Sequence, residues 1–289
     1  MEFWQSVART PVDQLVPVAQ LAEQLGFAGV MMSDHLVRPL EMESRYPYSA
    51  DGQMATGETT PYLDPWILFA HLASATKRLR FMSSVYIPAL RDPFTVAKAL
   101  STAALLTDER VLFGIGVGWM EEEFVLTERS FSGRGQRTDE LVEVVRKLLS
   151  GEVVEHRGEH YDFGPVQMAP VPSRMPPVLA GGHSNVALRR AARMDGWIGV
   201  NYDIPQLTEL LDVLARERAS IGRADKQFDV ATALNTPPSS EDVVRLERAG
   251  VTMILNPPLI DGSGSATDFG EKREQLEKFA DQFIKPHSG

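Results

Sequence analysis

The chain has 289 residues, of which 43% are hydrophobic and 24% charged, an ordinary composition for a folded globular protein. The absence of cysteine excludes disulfides, thiolate metal sites and cysteine nucleophiles. A formal net charge of -10 without a long basic run argues against nucleic acid as a partner. No apolar run approaches the length of a membrane span. The first residues lack the features of a signal peptide, so we expect a cytoplasmic protein.

Apolar strand candidates alternate with helical patterns along the whole chain. The first strand is expected at residues 3–8 and the second just before Ser33. The later strands are expected at residues 79–87, 110–115, 177–180, 196–200, 228–234 and 251–256. This alternation predicts an α/β fold, a (β/α)8 TIM barrel, formed by a single domain over residues 1–289. An open doubly wound sheet is the alternative.

Two segments interrupt the regular alternation. Residues 37–60 are rich in Pro, Gly, Tyr and Glu, and a loop of that length in a compact domain usually serves function. Residues 153–167 predict a hairpin inserted between barrel units, with Arg157-Gly158 near its turn.

Three polar residues, Ser33-Asp34-His35, directly follow the second strand. A parallel barrel builds its chemistry at the C-terminal ends of its strands, so this stretch is a candidate for the active site. An aspartate beside a histidine can fix the imidazole or hold a polar ligand. The alternative is a helix cap, for which Ser and Asp are both common.

The predicted third strand contains the small polar residues Ser83 and Ser84, followed by Val85, toward its C-terminal end. Such residues pack poorly inside a buried strand, and they suit a place where a flat ligand lies against the backbone. A simple edge or bend of the sheet is the alternative.

The fourth strand ends in alternating glycines, including Gly116 and Gly118, before Trp119 and Glu121. Their spacing does not match a dinucleotide fingerprint. Glycines nevertheless permit close approach of a ligand to the backbone, and Trp119 is placed to pack on one. Glu121 begins the next helix, where a carboxylate also complements the helix dipole, and this is the alternative to a catalytic role.

Two glycines precede a helix after the fifth strand, in Gly181-Gly182-His183-Ser184. Free backbone N–H groups at a helix N-terminus behind two glycines form an anion cradle. Ser184 is either the helix cap or a phosphate ligand. We favour the phosphate, because two glycines add nothing to a plain cap.

Metal and acyl-transfer chemistry have little support in the sequence. The six histidines show no paired ligand spacing such as His-Glu-x-x-His, so no metal site is predicted. A metal-dependent barrel hydrolase is therefore a weak alternative. No Gly-x-Ser-x-Gly elbow is present, and an acyl-transfer enzyme would lack its nucleophile.

These stretches together resemble the luciferase-like monooxygenase superfamily, and within it the branch that uses the deazaflavin coenzyme F420. The resemblance runs nearly from end to end. Its most specific motifs are Ser33-Asp34-His35, Leu90-Arg91-Asp92-Pro93, Gly116-Val117-Gly118-Trp119, Glu122-Glu123-Phe124, Arg134-Gly135, Gly181-Gly182-His183-Ser184 and Asp195-Gly196-Trp197.

The resemblance implies a barrel with an inserted segment, a flavin or deazaflavin over the strand C-termini, and a homodimer. It also implies a non-proline cis peptide bond between Ser84 and Val85 behind the ring, and an acid at Glu121, with Glu122 as an offset alternative. The residues expected to bind the cofactor are Asp34, Ser84, Val85, Gly116, Gly118, Gly181, Gly182 and Ser184.

Two classes of function follow. The first is an oxidoreductase that transfers a hydride between F420 and an unidentified small organic substrate, with His35 as general acid/base and Glu121 as a second proton group. An FMN-dependent monooxygenase is its near relative. The second class is a non-catalytic flavin- or deazaflavin-binding barrel. The sugar-phosphate dehydrogenase of this branch has a tryptophan shortly after the histidine, where this chain reads Leu36-Val37-Arg38, so its substrate pocket does not carry over.

Overall fold

The computed structural model describes residues 1–49, 51–53, 61–260 and 268–287, and it confirms the predicted parallel barrel. The barrel strands are β1 (Glu2–Ser6), β2 (Gly29–Met32), β3 (Arg80–Ser83), β4 (Val111–Ile115), β7 (Val178–Gly181), β8 (Gly196–Tyr202), β9 (Asp229–Leu234) and β10 (Met253–Asn256). They close in the order β1-β10-β9-β8-β7-β4-β3-β2, with parallel pairing throughout. The remaining strands, β5 (Val154–Arg157) and β6 (Asp162–Val166), form the predicted hairpin.

Helices surround the barrel and connect its strands. Their bounds are α1 (Leu15–Leu25), α2 (Pro65–Ser74), α3 (Pro93–Leu106), α4 (Glu121–Leu126), α5 (Arg134–Leu148), α6 (Asn185–Ala192), α7 (Ile204–Ser220), α8 (Ser240–Arg248) and α9 (Phe269–Phe279). Within the ranges given above, no helix is both long and apolar enough to cross a membrane.

The third strand is shorter than the sequence predicts. It ends at Ser83 rather than at residue 87, and the Ser84-Val85 peptide bond just beyond it is cis as expected. The chain then meets β4 again through a single bridge between Tyr86 and Ile115. Of the long loop predicted at residues 37–60, residues 50 and 54–60 lie outside the described ranges.

A tryptophan fills the interior of the barrel. Trp4 on β1 is fully buried in a cluster with Met31, Met82 and Leu112 of the neighbouring strands. A side chain on Gly29 of β2 would place its Cβ atom 2.3 Å from the Trp4 ring. The large residue on β1 is therefore accommodated by the absence of a side chain on the adjacent strand.

We predict that Gly29→Ala destabilises the barrel by about 1–3 kcal/mol, because the added methyl group overpacks the interior against Trp4 and the Arg80 carbonyl oxygen. Urea unfolding followed by circular dichroism measures this difference. Gly164→Ala on β6 is the matched control, since its Cβ would meet no atom within 4 Å. A Gly29→Ala protein as stable as this control would contradict the packing argument.

Candidate active site

A cavity of about 450 Å³ lies at the C-terminal ends of the barrel strands. This is the face where parallel barrels place their chemistry. The cavity is lined by every residue predicted to bind the cofactor and by His35: Asp34, His35, Ser84, Val85, Gly116, Gly118, Gly181, Gly182 and Ser184. The fold therefore brings together four stretches that are separated by up to about 150 residues in the sequence.

His35 is paired with a buried carboxylate from the other side of the cavity. Its Nδ1 atom lies 2.9 Å from Oε2 of Glu123, whose side chain is only 3% exposed. The second oxygen, Oε1, accepts hydrogen bonds from the backbone N–H groups of Leu36 at 2.7 Å and Val37 at 3.5 Å. One carboxylate thus fixes both the imidazole and the start of the loop that follows it.

Asp34 lies beside His35 but has different partners. Arg91 donates two hydrogen bonds to its carboxylate, at 2.7 and 2.9 Å, and the Ile87 N–H donates a third at 3.1 Å. The Arg91 guanidinium also lies 4.2 Å above the Tyr86 ring. We expected Asp34 to hold a polar edge of the cofactor ring. The observed contacts instead tie β2 to the segment after β3.

Val85 forms part of the cavity floor. Its side chain lies against two of the predicted glycines: a Cβ atom on Gly116 would be 2.5 Å from it, and one on Gly181 would be 3.0 Å away. Gly118, with φ of +82°, would meet the Phe124 ring at 2.7 Å. These glycines therefore make room for protein side chains, whereas the sequence suggested that they make room for a ligand.

The stretch predicted to form an anion cradle lies between the end of β7 and the start of α6. Ser184 caps α6, since its hydroxyl oxygen accepts from the Ala187 N–H at 3.2 Å. Gly182 has φ of +115°, where side chains are strained, and its carbonyl accepts from Trp197 Nε1 at 2.7 Å. Ser184 acts as the helix cap, and this leaves its hydroxyl hydrogen free to donate to an anion.

The position predicted for the second proton group needs correction. Glu121, the first residue of α4, is exposed and does not line the cavity, whereas Glu123 does. Glu123, and not Glu121, lies beside His35, because Glu123 is on the buried side of the helix. The helix-dipole alternative suits the exposed position of Glu121 in the first turn.

Comparison with known proteins decides the family. The model of the luciferase-like monooxygenase family matches residues 3–285 of this chain. The chain belongs to the luciferase-like monooxygenase family. The resemblance drawn from the sequence is thereby confirmed, and the family assignment makes this chain an oxidoreductase.

Three individual similarities define its neighbourhood in the family. An uncharacterised protein of Mycobacterium tuberculosis is 35% identical over 88% of both chains. The F420-dependent hydroxymycolic acid dehydrogenase of the same organism is 30% identical over 73% of this chain and 55% of its own length. The solved structure of an F420-dependent secondary alcohol dehydrogenase in complex with an F420-acetone adduct has a TM-score of 0.77 at 15% identity, with 98% of each chain covered.

In this luciferase-like chain, α4 anchors the long loop after β2. Glu122 accepts hydrogen bonds from the backbone N–H groups of Glu43 at 2.7 Å and Ser44 at 3.0 Å. The Ser44 hydroxyl in turn accepts from the Glu121 N–H at 2.9 Å. Together with the Glu123 contacts at the start of the loop, these bonds hold it beside the cavity at two points.

Five aromatic rings, two of which come from this loop, form a continuous row along the cavity. Starting at His35, centroid distances are 6.1 Å to Trp119, then 5.3 Å to Tyr46, 5.5 Å to Tyr48 and 5.4 Å to His183, all edge to face. The sequence patterns pointed to Trp119 but not to the two tyrosines. Their close spacing, Tyr46-Pro47-Tyr48, in a loop predicted to be functional could have indicated that they line the site.

We predict that the Glu122 anchor is sensitive to pH and to removal of its charge. Burial opposes its ionisation, but hydrogen bonds from Ser44 and Glu43 outweigh this and lower the pKa of Glu122 to about 2. The pKa lies below the ordinary value of 4.5, so the anchor is fully formed above that pH and is lost as the pH falls toward 2. The protection factors of the Glu43 and Ser44 amides, which are corrected for the intrinsic pH dependence of hydrogen exchange, should therefore fall over this range.

Glu122→Gln should accelerate the same exchange several-fold at neutral pH, because an amide oxygen accepts these hydrogen bonds less strongly than a carboxylate. Glu121→Gln removes a neighbouring charge whose side chain does not hold the loop, and it serves as the control. Equal exchange at Glu43 and Ser44 in both variants would contradict the anchoring role.

Proposed function

We propose that this enzyme uses coenzyme F420 to transfer a hydride to or from a small organic substrate. The observation that carries the proposal is the His35–Glu123 pair in the cavity at the C-terminal ends of the barrel strands. The activities of the F420-dependent dehydrogenase relatives support it. A paired imidazole that lines a cavity also favours an enzyme over a non-catalytic cofactor-binding barrel.

The cavity fits the cofactor in three respects. Its volume of about 450 Å³ lies in the range of small-molecule sites. Its floor is apolar at Val85 and Ile198, which suits a flat ring, and one end carries the anion cradle from Gly181 to Ser184. When bound, the deazaflavin supplies a carbon that accepts or donates a hydride. The protein must then accept or donate the proton that the substrate releases or takes up.

The contacts of His35 decide which of its nitrogens can do this work. An ionised carboxylate only accepts hydrogen bonds, so Nδ1 carries the hydrogen that faces Glu123. In the neutral imidazole, Nε2 is then the acceptor, and among the described residues it has no hydrogen-bond partner. His35 is thus arranged to take a proton from a substrate hydroxyl, or to return one from its charged form.

Charge around the cavity bears on the choice of cofactor. F420 carries a polyanionic tail, whereas the chain has a net charge of -10. The guanidinium of Arg91 is paired with Asp34 and does not offset this charge. Arg45 and Arg134 also line the cavity, and their guanidinium groups donate to the backbone carbonyl oxygens of Asp51 at 2.8 Å and Gly118 at 2.9 Å. We assign these two cations to the polyanionic tail of F420.

The homodimer that the family resemblance implies remains a prediction.

We predict that F420 binds more tightly than FMN. Fluorescence titration of the purified protein with each cofactor measures both dissociation constants. Arg45→Gln should weaken the binding of F420 more than that of FMN, because FMN lacks the polyanionic tail. Tighter binding of FMN to the wild-type protein would overturn the F420 assignment and favour the FMN-dependent monooxygenase.

We predict that His35→Asn lowers turnover by roughly 10²- to 10⁴-fold while the affinity for F420 changes little. Steady-state kinetics with an identified substrate, together with the titration above, separates the two effects. Glu123→Gln should also lower turnover, because its amide would donate to Nδ1 and move the imidazole hydrogen to Nε2. A His35→Asn enzyme with weak cofactor binding but normal turnover at saturation would assign His35 to binding.

A further inference from the structure

Tyr48 lies over the anion cradle. Its phenolic oxygen is 4.0 Å from the position that a Cβ atom on Gly182 would occupy, and its ring packs edge to face on His183 at 5.4 Å. Both Tyr48 and the cradle line the same cavity. The phenol has no hydrogen-bond partner among the described residues, so its O–H group is available to a ligand.

The backbone below Tyr48 offers further donors. The N–H groups of His183, Ser184, Asn185 and Val186 form no hydrogen bond to any described residue. The indole of Trp197 holds the Gly182 carbonyl oxygen at 2.7 Å. In a trans peptide the carbonyl and the following N–H point in opposite directions, so the His183 N–H points away from Trp197.

We propose that Tyr48 is a ligand of the cofactor phosphate, donating from the loop side while the cradle donates from the barrel side. The proposal rests on the proposed function in one respect, that a phosphorylated deazaflavin or flavin occupies this cavity. It makes the loop after β2 a direct part of cofactor recognition. A cofactor without its phosphate would therefore lose its contact with Tyr48 of the loop.

The surroundings of Tyr48 support a donor role. Asn201, with φ of +64°, donates from Nδ2 to the Tyr48 carbonyl oxygen at 3.0 Å and so fixes the backbone of the loop at this point. Burial, with a smaller contribution from Tyr46, raises the pKa of Tyr48 to about 12. The phenol therefore keeps its proton at neutral pH and can donate to a phosphate oxygen.

The test compares ligands that differ only in the phosphate group. Affinities of wild-type and Tyr48→Phe protein are measured by fluorescence titration for the F420 chromophore with a 5′-phosphate and for the same chromophore without it. Loss of one hydrogen bond to a charged acceptor should weaken binding of the phosphorylated ligand by about tenfold to a hundredfold. The ligand without phosphate should bind both proteins equally.

Tyr46→Phe is the matched control, because Tyr46 belongs to the same loop and cavity but packs on Trp119. It should leave the ratio of the two affinities unchanged. An equal loss for both ligands in Tyr48→Phe, or no loss for either, would overturn the proposal.

The same cycle with FMN and riboflavin separates this inference from the choice of cofactor. If the deazaflavin ligands fail to bind but Tyr48→Phe selectively weakens FMN, the F420 assignment fails and the role of Tyr48 stands. If wild-type protein binds neither phosphorylated ligand more tightly than its counterpart without phosphate, the Tyr48 proposal is wrong.

Discussion

The buried carboxylate of Glu123 is the contact on which the arrangement of the active site depends. It holds the imidazole of His35 with one oxygen and the backbone of Leu36 with the other. A buried carboxylate is stable only when its oxygens are hydrogen-bonded, so the side chain, the imidazole and the loop constrain one another. The positions of these residues consequently depend on how α4 packs against the end of β2.

The loop after β2 extends this junction across the cavity. Glu122 holds the middle of the loop at Ser44, and Asn201 on β8 holds it at Tyr48. Elements far apart in the sequence thus position one segment over the cavity. A loop held at several points keeps the groups that line the cavity in fixed positions, which is what the orientation of reacting groups requires.

The sequence predicted the barrel and the location of the site because both depend on local patterns. Alternating apolar strands and helices define the barrel, and Ser33-Asp34-His35 ends a strand. The partner of His35 was missed because three consecutive glutamates begin α4, and successive helical residues differ in direction by about 100°. Which glutamate faces β2 depends on how the helix docks. The pairing of Asp34 with Arg91 likewise joins residues 57 apart, and no local pattern specifies it.

We propose that Glu123 holds the hydrogen of neutral His35 on Nδ1 and leaves Nε2 as the acceptor. Nitrogen-15 NMR of histidine-labelled protein, with the His35 signals identified by their loss in His35→Asn, reports which nitrogen carries the hydrogen. At a pH where the imidazole is neutral, the account predicts a protonated Nδ1 and an unprotonated Nε2. A neutral His35 with its hydrogen on Nε2 would contradict it.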